Sequence, residues 1–123
     1  MTNPPPFPTR IWVGGYEFPM TLVDAADPRL DGDDGIFSHD ETYRGILVCA
    51  TLGTYRTIEV ALHEITHAIN WTCDIFTLED MAEEEAATTK QGAAWARVYV
   101  DNPKFCKWLN HAVQQVRKER ASA

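Results

Sequence analysis

The clearest periodic pattern in the chain lies between residues 54 and 73. Apolar residues recur there at spacings of three and four, the repeat expected for one buried face of an α-helix. Thr54 or Thr57 can cap the start of this helix, and the segment Asn70-Trp71-Thr72-Cys73-Asp74 ends it. The stripe itself consists of Ile58, Ala61, Leu62, Ile65, Ala68 and Ile69.

The pattern before this helix is typical of β-strands. Residues 11–23 are rich in β-branched and aromatic side chains around Gly14 and Gly15, which predicts two strands joined by a turn. Residues 24–34 are rich in Asp, Gly and Pro and predict a loop. Residues 35–39 and 43–50 predict a hairpin with its turn at residues 40–42. We expect a small antiparallel sheet on which the helix packs.

Two further helices follow in the prediction. The first covers about residues 79–100, with Thr77 or Asp80 as its cap, and the Asp101-Asn102-Pro103 turn ends it and begins the second. Asp101 or Asn102 is expected to cap that last helix. The pattern therefore predicts an α+β fold in one domain, residues 11–123, preceded by a proline-rich N-terminal arm, residues 1–10.

Composition limits the classes of partner. A hydrophobic content of 45% suffices for one core, and the net charge of −7 argues against nucleic acid as a partner. Three cysteines without a CxxC pair fit a reducing compartment better than a disulfide framework. The N-terminal residues do not resemble a signal peptide, and no apolar run reaches membrane-spanning length. We expect a cytoplasmic protein without a membrane partner.

The helical segment 54–73 also carries the HExxH motif, His63-Glu64-Ile65-Thr66-His67. Residues four apart lie one turn apart on the same helix face, so both imidazoles can converge on one metal ion. The glutamate between them reaches the same region and can act as general base on a metal-bound water. The motif therefore predicts a Zn²⁺ site, and we call this segment the motif helix.

A catalytic zinc site needs a third protein ligand. A glutamate on the following helix is the first choice: Glu84 shares a helix face with Met81, Thr88, Gln91 and Trp95, Glu85 lies one position round, and Glu83 points furthest away. Cys73 is the competing choice, because His63-Glu64-x-x-His67-x-x-Asn70-x-x-Cys73 has the shape of an extended metzincin motif. The acidic run at residues 31–35 lacks the spacing of an EF-hand, so no calcium site is predicted.

HExxH on one helix and a Glu on the next resemble the gluzincin class of zinc metallopeptidases in its minimal form. The segment from His63 to Leu109, with Glu84-Glu85 and the Asp101-Asn102-Pro103 turn, is similar to short metallopeptidases encoded by phages and prophages. The resemblance implies a zincin-like core, with His63, His67 and one of the adjacent glutamates as zinc ligands and Glu64 as catalytic acid/base. It also suggests the cytoplasm of a phage-infected or lysogenic bacterial host.

The expected activity is hydrolysis of a peptide or amide bond in a peptide or protein substrate. An edge strand at residues 43–48 is expected to receive an extended peptide by strand addition. The donor to the developing oxyanion is left open among Tyr43, Tyr55, Tyr99, His39 and His111, and the groups holding the ligand histidines among Asp74, Asp80 and Thr88. The alternative function is a zinc-stabilised binding or regulatory module without turnover.

Overall fold

The computed structural model describes residues 4–40, 43–73 and 81–122, with only the backbone at residues 81–85 and 88. Within these residues a four-stranded sheet is followed by three helices, which confirms the expected α+β layout. The elements are β1 (Arg10–Val13), β2 (Tyr16–Val23), β3 (Gly35–His39), β4 (Arg44–Cys49), α1 (Thr54–Thr72), α2 (Met81–Asp101) and α3 (Pro103–Ser122).

The strands follow the order β1-β2-β4-β3 across the sheet. The β1–β2 and β3–β4 pairs are antiparallel, as predicted, but β2 and β4 are parallel, with Met20 opposite Ile46 and Val23 opposite Cys49. The sheet is therefore mixed rather than wholly antiparallel. The cause is the connection after β2, which includes a 3₁₀ turn at Pro28–Leu30. This connection carries the chain beyond the position next to β2 before β3 begins. The β3–β4 hairpin therefore pairs with β2 through β4.

The prediction that residues 43–48 form an edge strand is wrong, because β4 lies between β2 and β3. Ile46, Leu47 and Val48 are all fully buried. Consecutive apolar residues cover both faces of a strand and are typical of the inside of a sheet rather than its edge. The edge beside α1 is instead β3.

The core lies between the sheet and α1. Ile65, Ala68 and Ile69 on α1 share one buried cluster with Phe18 on β2 and Val48 on β4. A second contact joins the start of α1 to α3 through Ile58, Ala112 and Val116. The motif helix is thus held from two sides, which fixes its rotation and the direction of its remaining face.

Asn102, at the break between α2 and α3, bonds across to the sheet. Its Oδ1 accepts from the Trp12 N–H at 2.8 Å, and its Nδ2 donates to the carbonyl oxygens of Trp12 and Val98 at 2.9 and 2.8 Å. This buried side chain joins β1 to the end of α2. Its backbone carbonyl accepts from the Cys106 N–H at 3.1 Å, so Asn102, one of the two predicted caps, stands at the start of α3 while its side chain makes these other bonds.

The described part of the N-terminal arm lies against α3. Phe7 packs edge-on against Trp108, with ring centroids 5.0 Å apart, and Pro8 is buried. None of the helices in the described residues is long and apolar enough to cross a membrane.

Candidate metal centre

One face of α1 forms the floor of a cleft. Glu59, His63, His67 and Trp71 follow one another at intervals of four residues, and all of them line a cavity of about 780 Å³. The helix repeat of 3.6 residues keeps such a series on one face. The opposite wall is β3, together with the loop before it. The cleft therefore lies between the motif helix and the sheet edge.

The two histidines of the motif converge inside this cleft. Their Nε2 atoms are 3.1 Å apart, and their rings are nearly perpendicular at 83°. Two nitrogens bound to one tetrahedral zinc ion at ~2.0–2.1 Å are expected about 3.3 Å apart. Together with a Glu64 carboxylate oxygen, the possible ligand atoms lie within 4.8 Å of one another. This His-Glu-His group is near enough to bind a metal ion, and the two imidazoles are spaced as two ligands of one ion would be.

Glu64 is the buried member of the group, with only 6% of its surface exposed. Burial raises the pKa of its carboxyl, and the neighbouring His63 and His67 partly oppose that rise. The backbone N–H of Phe37 also lies near this carboxylate and favours its charged form. The carboxylate thus lies against the sheet edge, beside the two imidazoles.

The register of β3 explains why a backbone N–H is available there. Cys49 N–H donates to the Asp34 carbonyl at 2.8 Å, and these two residues stand opposite each other. Backbone groups alternate in direction along an antiparallel strand, so those of Gly35, Phe37 and His39 point away from β4. The free side of β3 therefore faces the cleft.

The imidazoles differ from the prediction in their exposure. Both histidines lie beside the apolar stripe of the motif helix, a position that predicts half-buried side chains, but both are exposed in the structure. They lie on the open side of the cleft, whereas Glu64 and Val60 are buried. A ligand can therefore approach both Nε2 atoms from solvent.

The predicted third ligands, Glu84 and Glu85, lie with Glu83 near the start of α2, and their side chains are outside the described residues. Cys73, the competing ligand, is half buried and packs against the main core cluster. In the described part of the chain the metal-binding group consists of His63, Glu64 and His67, without Cys73. The expected partners of the ligand histidines, Asp74, Asp80 and the Thr88 side chain, also fall outside the described residues.

Of the five expected oxyanion donors, His39 is the one that lines the described cleft. Its ring stacks on that of Trp71 at 4.8 Å and 12°. Tyr43 lies in a separate apolar cluster, and Tyr55 lies under the Arg120 guanidinium. Tyr99 stacks near Trp95, and His111 is on α3.

Sequence reasoning did not identify Glu59 and Trp71 as residues of the cleft. The signal was present, because both continue the spacing of four that relates His63 to His67. Asp33 and Asp34 also line the cleft, although the loop that contains them had suggested only a rejected calcium site. No local pattern could show that this loop folds back over the motif helix.

Comparisons of the chain with protein-family models, with curated proteins and with solved structures found no match. A function is therefore inferred from the geometry of the His-Glu-His group and its cleft.

Proposed function

We propose that this protein is a zinc-dependent metallopeptidase of the minimal gluzincin type, hydrolysing a peptide or amide bond. The observation that carries the proposal is the convergence of the His63 and His67 Nε2 atoms to 3.1 Å beside a buried carboxylate. Two isolated surface histidines have no need of a buried acid between them. Burying a carboxylate costs stability, so its presence in an open cleft favours a chemical role.

The ligands in this proposal are His63, His67 and a glutamate at the start of α2, Glu84 with Glu85 as the alternate. A zinc ion bound there supplies a Lewis acid that polarises the substrate carbonyl and acidifies water. Glu64 accepts the proton of the attacking water and later passes it to the leaving amine. Its place between the two imidazoles suits both steps, because the water and the leaving amine would lie within its reach.

An extended peptide is the substrate that the cleft fits best. The free side of β3 presents backbone groups of Gly35 and His39 towards the cleft, and a peptide strand can pair with them. The sequence had predicted that residues 43–48 pair with the substrate strand. Because β4 is central, we assign this pairing to β3. We assign to His39 the hydrogen bond to the developing oxyanion, because it lines the cleft and its stacking on Trp71 restricts the movement of its ring.

The test compares three forms of the purified protein: wild type, Glu64→Gln and His67→Ala. Elemental analysis measures zinc, and mass spectrometry measures cleavage of a mixed peptide library. We expect about one zinc per chain in the wild type and in Glu64→Gln, and much less in His67→Ala. Of these three forms, only the wild type is expected to cleave peptides. Glu119→Gln, the same change on α3 outside the cleft, is the matched control and should retain both properties.

Two results would overturn the proposal. Wild-type protein that takes up no zinc, even when zinc is added, would exclude a metal-dependent enzyme. Zinc without cleavage of any peptide, together with a lower melting temperature after zinc removal, would instead support the non-catalytic binding or regulatory module.

A further inference from the structure

The two ends of the cleft differ in charge. β3 begins beside the first half of α1, since a Cβ added at Gly35 would contact Val60 and Glu64, and it ends at His39, which stacks on Trp71. The strand and the helix therefore run in the same direction along the cleft. One end is bounded by residues 33–35 and Glu59, the other by His39 and Trp71, and the metal-binding group lies between them.

The first end, which we call the acidic end, consists of Asp33, Asp34, Arg56 and Glu59. Asp34 is neutralised by Arg56, whose Nε lies 3.0 Å from its Oδ2. Among the described residues neither Asp33 nor Glu59 has an ion-pair partner. The acidic end thus keeps two uncompensated carboxylates on the wall and floor of the cleft.

The second end, which we call the aromatic end, has the opposite character. Phe37, His39 and Trp71 line it, and the Arg44 guanidinium lies 5.7 Å from the centre of the Trp71 ring. A cation over an aromatic face is attracted by the ring quadrupole, so Arg44 is held at this end. A second cation is disfavoured there, whereas flat apolar groups can pack against the half-buried rings of Phe37 and Trp71.

We propose that the cleft selects peptides with a lysine or arginine on one side of the cleaved bond and an aromatic or apolar residue on the other. The basic side chain binds at Asp33 and Glu59, and the apolar one binds against Phe37 and Trp71. This inference rests on the proposed peptidase function, and it deepens that function by naming its substrate class. The charge difference between the ends fixes the direction in which the peptide lies along β3.

The test uses ten-residue peptides that carry a central Phe-Leu pair and differ at one position, three residues before the Phe, which is Lys, Gln or Glu. A second set places that position on the other side of the pair. Cleavage by the wild-type protein gives kcat/KM. Affinity is measured separately by calorimetry with zinc-loaded Glu64→Gln, which binds without turnover.

In one of the two sets we expect kcat/KM to be about tenfold higher for the Lys peptide than for the Glu peptide. The reason is that two partly exposed charge pairs each contribute a factor of a few. Asp33→Asn and Glu59→Gln should each reduce this preference about threefold, and salt should weaken it. Glu119→Gln, on α3 outside the cleft, should leave it unchanged.

The outcomes separate this inference from the proposed function. Cleavage of the Lys and Glu peptides at equal rates in both sets would overturn the substrate class and leave the peptidase standing. Preferential binding of the Lys peptide without any cleavage would support the charge selection and overturn the peptidase. Neither binding nor cleavage of any peptide would overturn both.

Discussion

The side-chain amide of Gln91 on α2 donates to Oδ1 of Asn70 on α1 at 2.8 Å. The sequence predicts Gln91 on a face of α2 where apolar residues are expected, and this bond explains the amide there. Asn70 lies three residues after His67, and Gln91 lies about two helical turns after Glu84. The bond therefore helps to fix the rotation of α2 against the helix that carries the metal-binding histidines.

Gln91→Met should lower the free energy of unfolding by about 1 kcal/mol, because Asn70 loses its partner in a half-buried position. The same change should weaken zinc binding if α2 carries the third ligand. Urea denaturation of the metal-free protein and competition with a zinc chelator measure the two effects. Gln114→Met, an exposed glutamine on α3, is the control. Unchanged zinc affinity in Gln91→Met would argue against a ligand on α2.

The third ligand can be identified by replacing the three neighbouring glutamates one at a time. Glu84→Ala should reduce zinc affinity on the order of a hundredfold or more, since losing a ligand costs at least as much as losing a group that supports one. Glu83→Ala should have no effect. A loss confined to Glu85→Ala would move the ligand to the alternate position. Retention of zinc in all three variants would make Cys73→Ser the next substitution to measure.

The buried Glu64 carboxyl should make the metal-free fold less stable as pH rises. Burial raises its pKa above the ordinary value of 4.5. At pH values between the unfolded-state and folded-state pKa, the folded protein therefore binds more protons than the unfolded chain. Stability from this group is present at low pH and is lost as pH rises through the folded-state pKa. The Glu64→Gln variant has no carboxyl at this position, so its stability should not fall with pH for this reason.

Thermal unfolding of both metal-free proteins between pH 4 and pH 8 measures the effect. The melting temperature of Glu64→Gln relative to wild type should increase with pH. A difference that does not change with pH, or that falls, would show that burial does not disfavour the charged carboxylate.

Gly35→Ala should disturb the contact between β3 and the motif helix. A Cβ at this position would overlap Cγ1 of Val60 and lie 3.1 Å from the Leu47 carbonyl oxygen. Overpacking of this kind costs about 1–3 kcal/mol, and relief by moving the strand would also displace the Phe37 N–H from Glu64. Gly92→Ala is the control, because its added Cβ meets nothing within 4 Å. Equal melting temperatures for Gly35→Ala and wild type would contradict the tight approach.

The elements of this fold could be predicted because their signals are local. The stripe of α1, the Gly14-Gly15 turn and the break at Pro103 each depend on residues close in sequence, and all three are present in the structure. The order of the strands depends on pairings between distant segments. The parallel alignment of β2 with β4 could not be predicted for that reason, although the unbroken apolar run at Ile46 already indicated an interior strand.

The site divides in the same way. The spacing of His63 and His67 is a property of one helix, so their convergence follows from the sequence alone. The carboxylates of Asp33 and Asp34 reach the same cleft only through the path of a loop, which no periodicity encodes. The position of the Phe37 N–H could not be predicted either, because every residue except proline has a backbone N–H and the side-chain pattern does not show where it points.

Every described residue lining the cleft lies between Asp33 and Trp71, in one continuous stretch of chain. Contacts that are close in sequence form early and at low entropic cost during folding, so both walls of the cleft can assemble before α2 and α3 have docked. A zinc ligand supplied by α2 would then be the last part to arrive. In that case, tight metal binding would begin only when α2 docks against a cleft that has already formed.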